Sequence, residues 1–354
     1  MTKTPISPDF DLENYNYPLD PDRIASRPVT PRDSSKMLVF KAKSNQIEHR
    51  VFNQLPSVLP DKSQLVLNES EVFPCRVRGV KSTGGAAEVF FLSPLANERG
   101  EIIAMVGCSG KKRPGLKISS GELEMTLLEV LGEGQFLVKL EKQGQIIRDY
   151  TAFAQMPIPN YIRGGESDGQ DLSDYQTLFA RNTGSVAAPT AGLHFTEKTF
   201  SDLKERSIEI AKVTLHVGLG TFSPVKSQDI REHSMHTEAF EISSKQKDSL
   251  SASFGNWIPV GTTALRTLQS CIDESGQFFA PEGKQATDLY LYPGKKVYGI
   301  KGLLTNFHMP KSSLMLLVAS LIGRENLMNL YQIAIERDYR FYSYGDCMLI
   351  LLDE

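Results

Sequence analysis

The chain has 354 residues, of which 40% are hydrophobic and 23% are charged, and its formal net charge is −3. This length predicts two domains, or one large domain with an insertion, and the composition is typical of a globular protein with a buried core. The small negative charge excludes a general affinity for nucleic acid, so an RNA site would have to be a local basic patch.

The cysteines and the apolar runs indicate the cellular compartment of the protein. The four cysteines form no C-x-x-C pair, which argues against a zinc ribbon or a disulfide scaffold and fits a reducing compartment. The N-terminal segment M-T-K-T-P-I-S-P-D-F lacks the apolar region of a secretory signal. The longest apolar run, Leu314 to Ile322, is too short to cross a bilayer and predicts a buried helix. We therefore expect a cytoplasmic protein with no membrane partner.

The first 63 residues predict little regular structure before an apolar strand at Met37 to Phe40. The polar run just before that strand is either a solvated turn or part of a site, and the sequence leaves both open. It consists of Arg32, Asp33, Ser34 and Ser35.

Residues 65 to 155 differ from the rest of the chain in their sequence pattern. Short runs rich in Val, Ile, Leu and Phe alternate there with glycine-bearing turns, which predicts a small antiparallel β-barrel. Its basic residues are either solvated loop charges or contacts to RNA phosphates, and the second alternative implies a salt-sensitive interaction. The candidate RNA-binding residues are Arg76, Arg78, Lys81, Lys111, Lys112 and Arg113.

Strands alternate with helices from residue 172 to the end, which predicts an α/β sheet. A helix at about Leu172 to Arg181 would bury Tyr175, Leu178 and Phe179, and Thr196 is a plausible N-cap of the next helix. The predicted fold class is an α/β main domain, residues 1–64 and 156–354, with an inserted small antiparallel β-barrel domain, residues 65–155.

Five of the six histidines lie in polar segments at turns or strand ends: His194, His216, His233, His236 and His308. A buried polar side chain needs partners, so these histidines either satisfy one another in the core or line a pocket. Their repeated position at strand ends favours the pocket.

Two segments predict a strand that leads into a helix. V-G-T-T-A-L-R-T-L would end its strand at Gly261 and expose helix N–H groups to an anion, with Thr262 or Thr263 as cap and Arg266 one turn along. L-T-N-F-H-M-P-K-S-S-L would place Ser312 or Ser313 at the start of the buried helix.

Three kinds of chemistry fit these residues. A metal hydrolase would use H-S-M-H with the other histidines, but no H-E-x-x-H motif or carboxylate cluster accompanies it. A classical methyltransferase or dehydrogenase would use V-G-L-G-T-F, which contains only G-x-G. A metal-free pocket of Thr, His, Asn and Arg suits group transfer by proton movement and positioning of a small charged substrate.

Several longer segments follow one another along the chain: G-S-V-A-A-P-T-A-G-L-H-F-T, V-T-L-H-V-G-L-G-T-F-S-P-V, H-S-M-H-T-E, V-G-T-T-A-L-R-T-L, L-L-T-N-F-H-M-P-K-S-S-L and Y-R-F-Y-S-Y-G-D-C-M-L-I. They closely resemble the S-adenosylmethionine:tRNA ribosyltransferase-isomerase family of queuosine biosynthesis. The N-terminal segments Y-P-L-D-P-D-R-I-A-S-R-P and N-E-S-E-V-F-P-C-R-V-R-G are similar to the same family's opening. The resemblance runs in order along nearly the whole chain.

The resemblance implies an α/β domain with an inserted barrel, S-adenosylmethionine as the ribosyl donor, tRNA as the partner, and no metal. The expected reaction moves the ribosyl group to 7-aminomethyl-7-deazaguanine at the tRNA wobble position, isomerises it to an epoxycyclopentanediol, and releases adenine and methionine. The alternative is a paralogue that only binds RNA or acts on another base. We expect a monomer.

The resemblance also implies site residues. His194, His216 and His308 are candidates for the base and the acid, without ranking. Thr262, Thr263 and Arg266 would hold the methionine carboxylate, and Asn306, Tyr344 and Asp346 would contact the ribose or the deazaguanine. Further candidates for substrate binding are Thr190, Thr214, Thr221, His233, His236, Glu238, Thr305, Lys311 and Arg340.

The chain departs from the family pattern at a few positions. It has Asn68-Glu69-Ser70-Glu71 where N-D-T-R is usual, Ser35-Lys36-Met37 for S-R-L, Gln269 for a glutamate, Lys295 for an aromatic residue after Y-P-G, and no tryptophan near Met105. Most of these changes lie outside the histidine-bearing motifs, so we expect them to affect RNA docking more than chemistry.

Overall fold

A computed structural model describes residues 6–132, 134–218 and 224–354. The predicted site residue Thr221 and most of V-G-L-G-T-F lie outside these ranges.

The described residues form eighteen strands and seven α-helices. The strands are β1 (Lys36–Lys41), β2 (Gln46–Val51), β3 (Gln64–Asn68), β4 (Ser70–Val72), β5 (Arg76–Lys81), β6 (Ala86–Phe91), β7 (Glu101–Cys108), β8 (Lys117–Ser120), β9 (Leu123–Gly132), β10 (Gln135–Lys142), β11 (Gln145–Ile146), β12 (Asn182–Ser185), β13 (Glu209–Leu215), β14 (Glu238–Glu241), β15 (Trp257–Val260), β16 (Gln285–Thr287), β17 (Gly302–Asn306) and β18 (Cys347–Leu351). The helices are α1 (Leu55–Val58), α2 (Asp171–Asp174), α3 (Glu197–Glu205), α4 (Ser244–Ala252), α5 (Thr262–Gln269), α6 (Ser313–Ile322) and α7 (Arg324–Glu336).

The chain divides into two compact units. Unit 1 contains residues up to Ser70, Thr177–Asn182 and Ala188–Glu354, and unit 2 contains Glu71–Gln176 and Thr183–Ala187. Strand β3, which begins at Gln64, belongs to the sheet of unit 1, so most of it lies past the predicted boundary at residue 65. Its five residues are all buried, as is typical of a central strand covered on both faces.

Unit 1 is built on a nine-stranded mixed sheet in the order β16-β14-β13-β3-β15-β17-β18-β1-β2. Successive residues of its central strands alternate between two apolar cores. Leu38 of β1 and Leu303 of β17 face the core that contains α6 and α7, whereas Val39 and Leu304 face the core beside α3. The sheet is therefore covered on both faces, as an α/β architecture requires.

The polar segments lie at one edge of this sheet, where several strands end. Strands β13, β3, β15 and β17 run parallel and end there, while β18 and β1 run the opposite way and begin there. Ligands of open α/β sheets bind in crevices outside the carboxyl ends of the strands. The topology thus places the ends of four strands and the starts of two at one edge.

Unit 2 contains an antiparallel sheet in the order β11-β10-β7-β6-β5-β8-β9, with a further pairing between β10 and β9. Each of the strands β5 to β10 therefore pairs with at least two others, and their pairings form a closed cycle. Burial alternates along β7, as expected of a strand with one face toward a core.

The structure tests several local predictions. Thr196 accepts a hydrogen bond from the N–H of Thr199 and caps α3, and Ser312 caps α6 in the same way, as predicted. The helix predicted for residues 172–181 is wrong, because α2 ends at Asp174 and Leu178 is exposed. In the residues described, no helix is both long enough and apolar enough to cross a membrane.

Candidate active site

A chain of three buried side chains lies at the polar edge of unit 1. Ser35 precedes β1, His194 ends a short 3-10 turn, and Asn306 is the last residue of β17. The Oγ atom of Ser35 lies 2.8 Å from Nδ1 of His194, and Nε2 of His194 lies 3.2 Å from Oδ1 of Asn306. The side chains are 1%, 4% and 3% exposed respectively, so water competes little for these bonds.

The amide of Asn306 fixes the proton on the histidine ring. Its Nδ2 atom donates to the backbone carbonyls of Tyr342 at 2.9 Å and Ser343 at 3.3 Å, so its Oδ1 atom must face His194. Because that oxygen only accepts, Nε2 of His194 carries the hydrogen, and Nδ1 accepts from the Ser35 hydroxyl. The three groups thus have the order hydroxyl, base and orienting amide.

His194 is held as a neutral imidazole. Burial lowers its pKa to about 4; the hydrogen bond to Asn306 opposes this shift, and the positive charges of Arg340 and Arg32 add to it. The ring also stacks on Phe52, with centroids 5.1 Å apart. A histidine with this pKa is a proton acceptor throughout the neutral range.

A cleft opens beside these hydrogen-bonded side chains. Its positive charge comes from Arg32 and Arg340, and the guanidinium of Arg340 donates to the backbone carbonyls of Arg27 and Tyr344. Carbonyl acceptors orient the guanidinium without neutralising it. The cleft is lined by Pro28, Val29, Arg32, Ser35, Leu193, His194, Arg340, Ser343, Tyr344 and Gly345.

Asp346, a predicted contact of the ribose or the deazaguanine, is bonded to the backbone. Its two carboxylate oxygens accept the backbone N–H groups of Lys36 and Arg340, each at 2.8 Å, and the residue is 2% exposed. Burial raises its pKa although both hydrogen bonds lower it. Asp346 therefore joins the start of β18 to the start of β1 and positions Ser35 and Arg340.

His308 lies on the other side of β17. Its Nε2 atom is 2.9 Å from Oγ1 of Thr305, whose neighbour Asn306 holds His194. Successive strand residues point to opposite faces, so the two histidines bond to opposite faces of the sheet. Burial lowers the pKa of His308 to about 3, and its backbone is held by the hydroxyls of Tyr331 and Tyr17.

His216 follows β13, which two strands separate from β17. Strands are spaced about 4.8 Å apart, so this histidine lies roughly 14 Å along the edge from the end of β17. Burial lowers its pKa, with help from the charge of Lys284. Its Nδ1 atom is buried without a hydrogen-bond partner within the described part of the chain. The three candidate histidines thus occupy three separate positions.

Arg266, a predicted contact of the methionine carboxylate, is paired with an acidic residue of the protein, while its Nη2 atom is buried without a hydrogen-bond partner among the described residues. Its guanidinium pairs with the carboxylate of Glu238, and both side chains are almost fully buried. The Nε atom of Arg266 donates to the carbonyl of Leu289, and Glu238 also accepts the N–H of Gly218 at 2.9 Å. The predicted binding residues Arg266 and Glu238 therefore neutralise each other.

The start of α5 differs in detail from the prediction. Gly261 is its N-cap, with φ near 89°, so Thr262 and Thr263 lie in the first turn rather than at the cap. Thr263 Oγ1 lies 3.1 Å from Nδ2 of Asn68, whose side chain also bonds both backbone groups of Leu215. Asn68 thus ties the ends of β3 and β13 to the start of α5.

The sequence did not identify Asn68 as a site residue, and it left the role of Ser35 open. The signal it offered was position: both residues are polar and adjoin an apolar strand at the edge where the motifs gather. Only the topology of the sheet shows that these strand ends meet.

The remaining substrate-binding candidates are spread along unit 1. Thr214 accepts from Asn182, Lys311 pairs with Glu13, His233 packs edge-on against the Tyr290 ring, His236 is exposed, and Thr190 begins the 3-10 turn that ends at His194.

The basic residues of unit 2 fall into two classes. Arg76 is buried and donates to Glu88, Asn160 and the carbonyls of Ile158 and Gly165. These four bonds hold the guanidinium of Arg76 inside unit 2, and its contact with RNA stays a prediction.

Other basic groups of unit 2 remain on its surface. Arg78 pairs with Glu166, and Lys81 donates to the carbonyl of Ser109. The segment Lys111–Lys112–Arg113 lies in an irregular surface loop, with its first and last residues exposed. Across the described ranges of both units, no group of three or more His, Cys, Asp or Glu residues is arranged to hold a metal ion.

Comparison with known proteins identifies the family. The model of the queuosine biosynthesis protein family matches residues 12–350. The chain belongs to this family. It is 41% identical over 345 residues to the S-adenosylmethionine:tRNA ribosyltransferase-isomerase of Desulfitobacterium hafniense, which covers 96% of this chain and 99% of that protein. The protein of the same name from Thermosynechococcus vestitus is 42% identical, with 98% of each chain covered.

A solved structure of the family has a similar fold. The crystal structure of S-adenosylmethionine tRNA ribosyltransferase from Thermotoga maritima is 29% identical and has a TM-score of 0.52. The similarity covers 96% of this chain and all of that one.

The structure explains one departure from the family pattern. The amide of Gln269 donates to the carbonyl of Tyr298 at 2.8 Å and accepts the N–H of Tyr298 at 2.9 Å. A glutamate at this position would keep the acceptor but lose the donor. Gln269 therefore suits the local backbone of this chain and lies apart from the chain of Ser35, His194 and Asn306.

Proposed function

We propose that this queuosine-family transferase moves the ribosyl group of S-adenosylmethionine to 7-aminomethyl-7-deazaguanine at the tRNA wobble position and isomerises it. The product is epoxyqueuosine, and adenine and methionine are released. The observation that carries the proposal is similarity to curated ribosyltransferase-isomerases over almost the entire length of both chains.

The geometry of the sheet edge supports proton transfer as the protein's main contribution. The positive sulfonium of S-adenosylmethionine acidifies the adjacent ribose carbon, and the reaction needs an unprotonated base beside that carbon. His194 is such a base, because burial keeps it neutral and Asn306 fixes its ring. His308 and His216 are then candidates for the acid that serves the departing adenine.

The cleft beside His194 suits the methionine end of the donor. Arg340 and Arg32 line it, and the guanidinium of Arg340 is oriented by two neutral carbonyls. We assign the carboxylate of S-adenosylmethionine to Arg340 in preference to Arg266, which already pairs with Glu238. Thr262 and Thr263 remain candidates for the same carboxylate, since they lie in the first turn of α5.

We further propose that unit 2 is a small antiparallel barrel inserted into the α/β domain and that it contacts the tRNA. The support is the closed cycle of strand pairings from β5 to β10. The exposed basic loop at Lys111, Lys112 and Arg113 supplies charge for phosphate contacts. A cytoplasmic location follows from the tRNA substrate, and the monomer stays a prediction.

Mass spectrometry of a reaction with S-adenosylmethionine and tRNA bearing aminomethyl-deazaguanine tests the proposal. The expected products are epoxyqueuosine in the tRNA and equal amounts of adenine and methionine. Formation of S-adenosylhomocysteine would make the protein a methyltransferase. Bound tRNA without any product would point to a binding role.

A further inference from the structure

The buried chain of Ser35, His194 and Asn306 carries an inference about the path of the proton. The amide of Asn306 cannot reverse without losing its bonds to the carbonyls of Tyr342 and Ser343. The lone pair of His194 therefore resides on Nδ1, and the atom 2.8 Å from it is Oγ of Ser35. The basic nitrogen points at a hydroxyl group, not into open solvent.

The backbone around Ser35 keeps this hydroxyl in place. The carbonyl of Ser35 accepts the N–H of Phe52 at 2.9 Å, and the N–H of Lys36 is held by Asp346. The ring of Phe52 also stacks on the ring of His194. Both the hydroxyl and the base are thus fixed from two directions, which is the arrangement that proton transfer needs.

Ser35 and His194 both line the cleft that contains Arg32 and Arg340. We propose that Ser35 is a catalytic residue that passes a proton between the substrate and His194. This inference rests on the proposed function, and it adds a group that touches the substrate. The arrangement of hydroxyl, imidazole and orienting acceptor is the one that activates a serine in other enzymes, here used to move a proton.

Atoms and electrons balance in this step. The C–H bond of the ribose carbon beside the sulfonium breaks, its electron pair stays on that carbon, and the proton forms an O–H bond with Ser35. At the same time the original O–H bond of Ser35 breaks, and its proton moves to Nδ1 of His194. Ser35 is unchanged, and His194 becomes an imidazolium whose two N–H groups face Ser35 and Asn306. Reversing the two transfers returns a proton from His194 through Ser35 to the substrate, while a separate acid, His308 or His216, serves the departing adenine.

Ser35→Ala tests the relay, with Ser34→Ala as the matched control. Ser34 is the neighbouring serine, and its hydroxyl donates to the carbonyl of Pro31 within the same turn. Epoxyqueuosine formation would be followed under saturating tRNA, with kcat, the KM for S-adenosylmethionine and the solvent isotope effect measured for each protein. The thermal midpoint Tm would show whether each variant is folded.

We expect Ser35→Ala to lower kcat by about 100-fold or more, because general acid-base groups contribute at least that much. Its KM and Tm should stay near those of the wild type, and its solvent isotope effect should fall because one proton transfer is lost. Ser34→Ala should match the wild type throughout.

Two results would overturn the relay while leaving the proposed function intact. One is a Ser35→Ala protein that forms epoxyqueuosine within threefold of the wild-type rate. The other is a slow variant with a lowered Tm that keeps the wild-type isotope effect, since this indicates a structural hydroxyl. If wild-type protein itself makes no epoxyqueuosine, the proposed function fails and the relay with it.

Discussion

The polar edge of the nine-stranded sheet and the basic loop of unit 2 use polar residues in opposite ways. At the edge, Ser35, His194 and Asn306 are buried, and each is positioned by a bond to another. In the loop, Lys111 and Arg113 extend from an irregular segment into solvent. Replacing buried groups that work together changes activity strongly and non-additively. Replacing exposed charges changes binding only slightly, because salt screens them.

The largest expected effect is at His194. His194→Ala should lower kcat by about 100-fold or more, because it removes the proton acceptor. The double variant with Ser35→Ala should be no slower than His194→Ala alone, since residues that work as one unit do not add. Rates measured under saturating substrates would check this. His49→Gln, in β2, is the control and should keep wild-type kcat.

If the fold-losses in kcat from His194→Ala and Ser35→Ala multiply in the double variant, the two residues do not work together. That result would mean that Ser35 and His194 act on different steps.

Arg76 and Arg78 allow buried and exposed cations to be compared within unit 2. Arg76→Met should destabilise the protein by about 2 to 3 kcal/mol, because the buried carbonyls of Ile158 and Gly165 lose their donor. Arg78→Met should cost less than about 1 kcal/mol, since its ion pair with Glu166 is on the surface. Urea denaturation of both variants measures the difference, and equal midpoints would contradict it.

Asn306→Asp should shift the pH dependence of turnover. In the wild type the pKa of His194 is lowered to about 4, so the base stays unprotonated from neutral pH down to about pH 5. A carboxylate beside Nε2 favours the imidazolium and raises this pKa, so the base is lost at a higher pH. The acidic limb of the pH–rate profile should therefore move upward.

Asn306→Ala provides the contrast, since it removes the orienting oxygen and adds no charge. It should slow turnover without moving the acidic limb upward. An Asn306→Asp profile that coincides with that of the wild type would show that His194 does not control the limb.

The smallest and most salt-dependent effect is expected in the loop. Replacing Lys111, Lys112 and Arg113 by alanine should raise the KM for tRNA severalfold at moderate salt and leave kcat unchanged. The slope of log affinity against log salt should fall by up to about 0.9 for each phosphate that the loop no longer neutralises. Lys139→Ala with Lys142→Ala is a suitable control, because these lysines pair with Glu141 and Glu122. An unchanged slope in the loop variant would place the RNA-binding surface elsewhere.

The sequence was sufficient for local features of the fold. Apolar runs predicted β1 and α6, and side-chain chemistry predicted the cap Thr196 and a cap at Ser312 or Ser313. The α/β class followed from the alternation of strands and helices in the later part of the chain. These features depend on neighbours within a few positions, which a sequence displays directly.

Pairings between distant residues could not be predicted in this way. Arg266 and Glu238 were both expected to bind substrate, yet they neutralise each other across 28 positions of sequence. Arg76 looked like a surface cation because its partners, such as Gly165, follow far along the chain. The bond between Ser35 and His194 spans 159 positions, and only the order of the strands brings the two together.

A reaction centred on the sheet edge is tested most directly by comparing the products of three proteins side by side: the wild type, His194→Ala, and the alanine variant of Lys111, Lys112 and Arg113. Each would be incubated with S-adenosylmethionine and saturating tRNA bearing aminomethyl-deazaguanine, and epoxyqueuosine, adenine and methionine would be quantified by mass spectrometry. We predict all three products from the wild type and the loop variant, and about 100-fold less or none from His194→Ala. Near-equal product from all three proteins would contradict a reaction centred there.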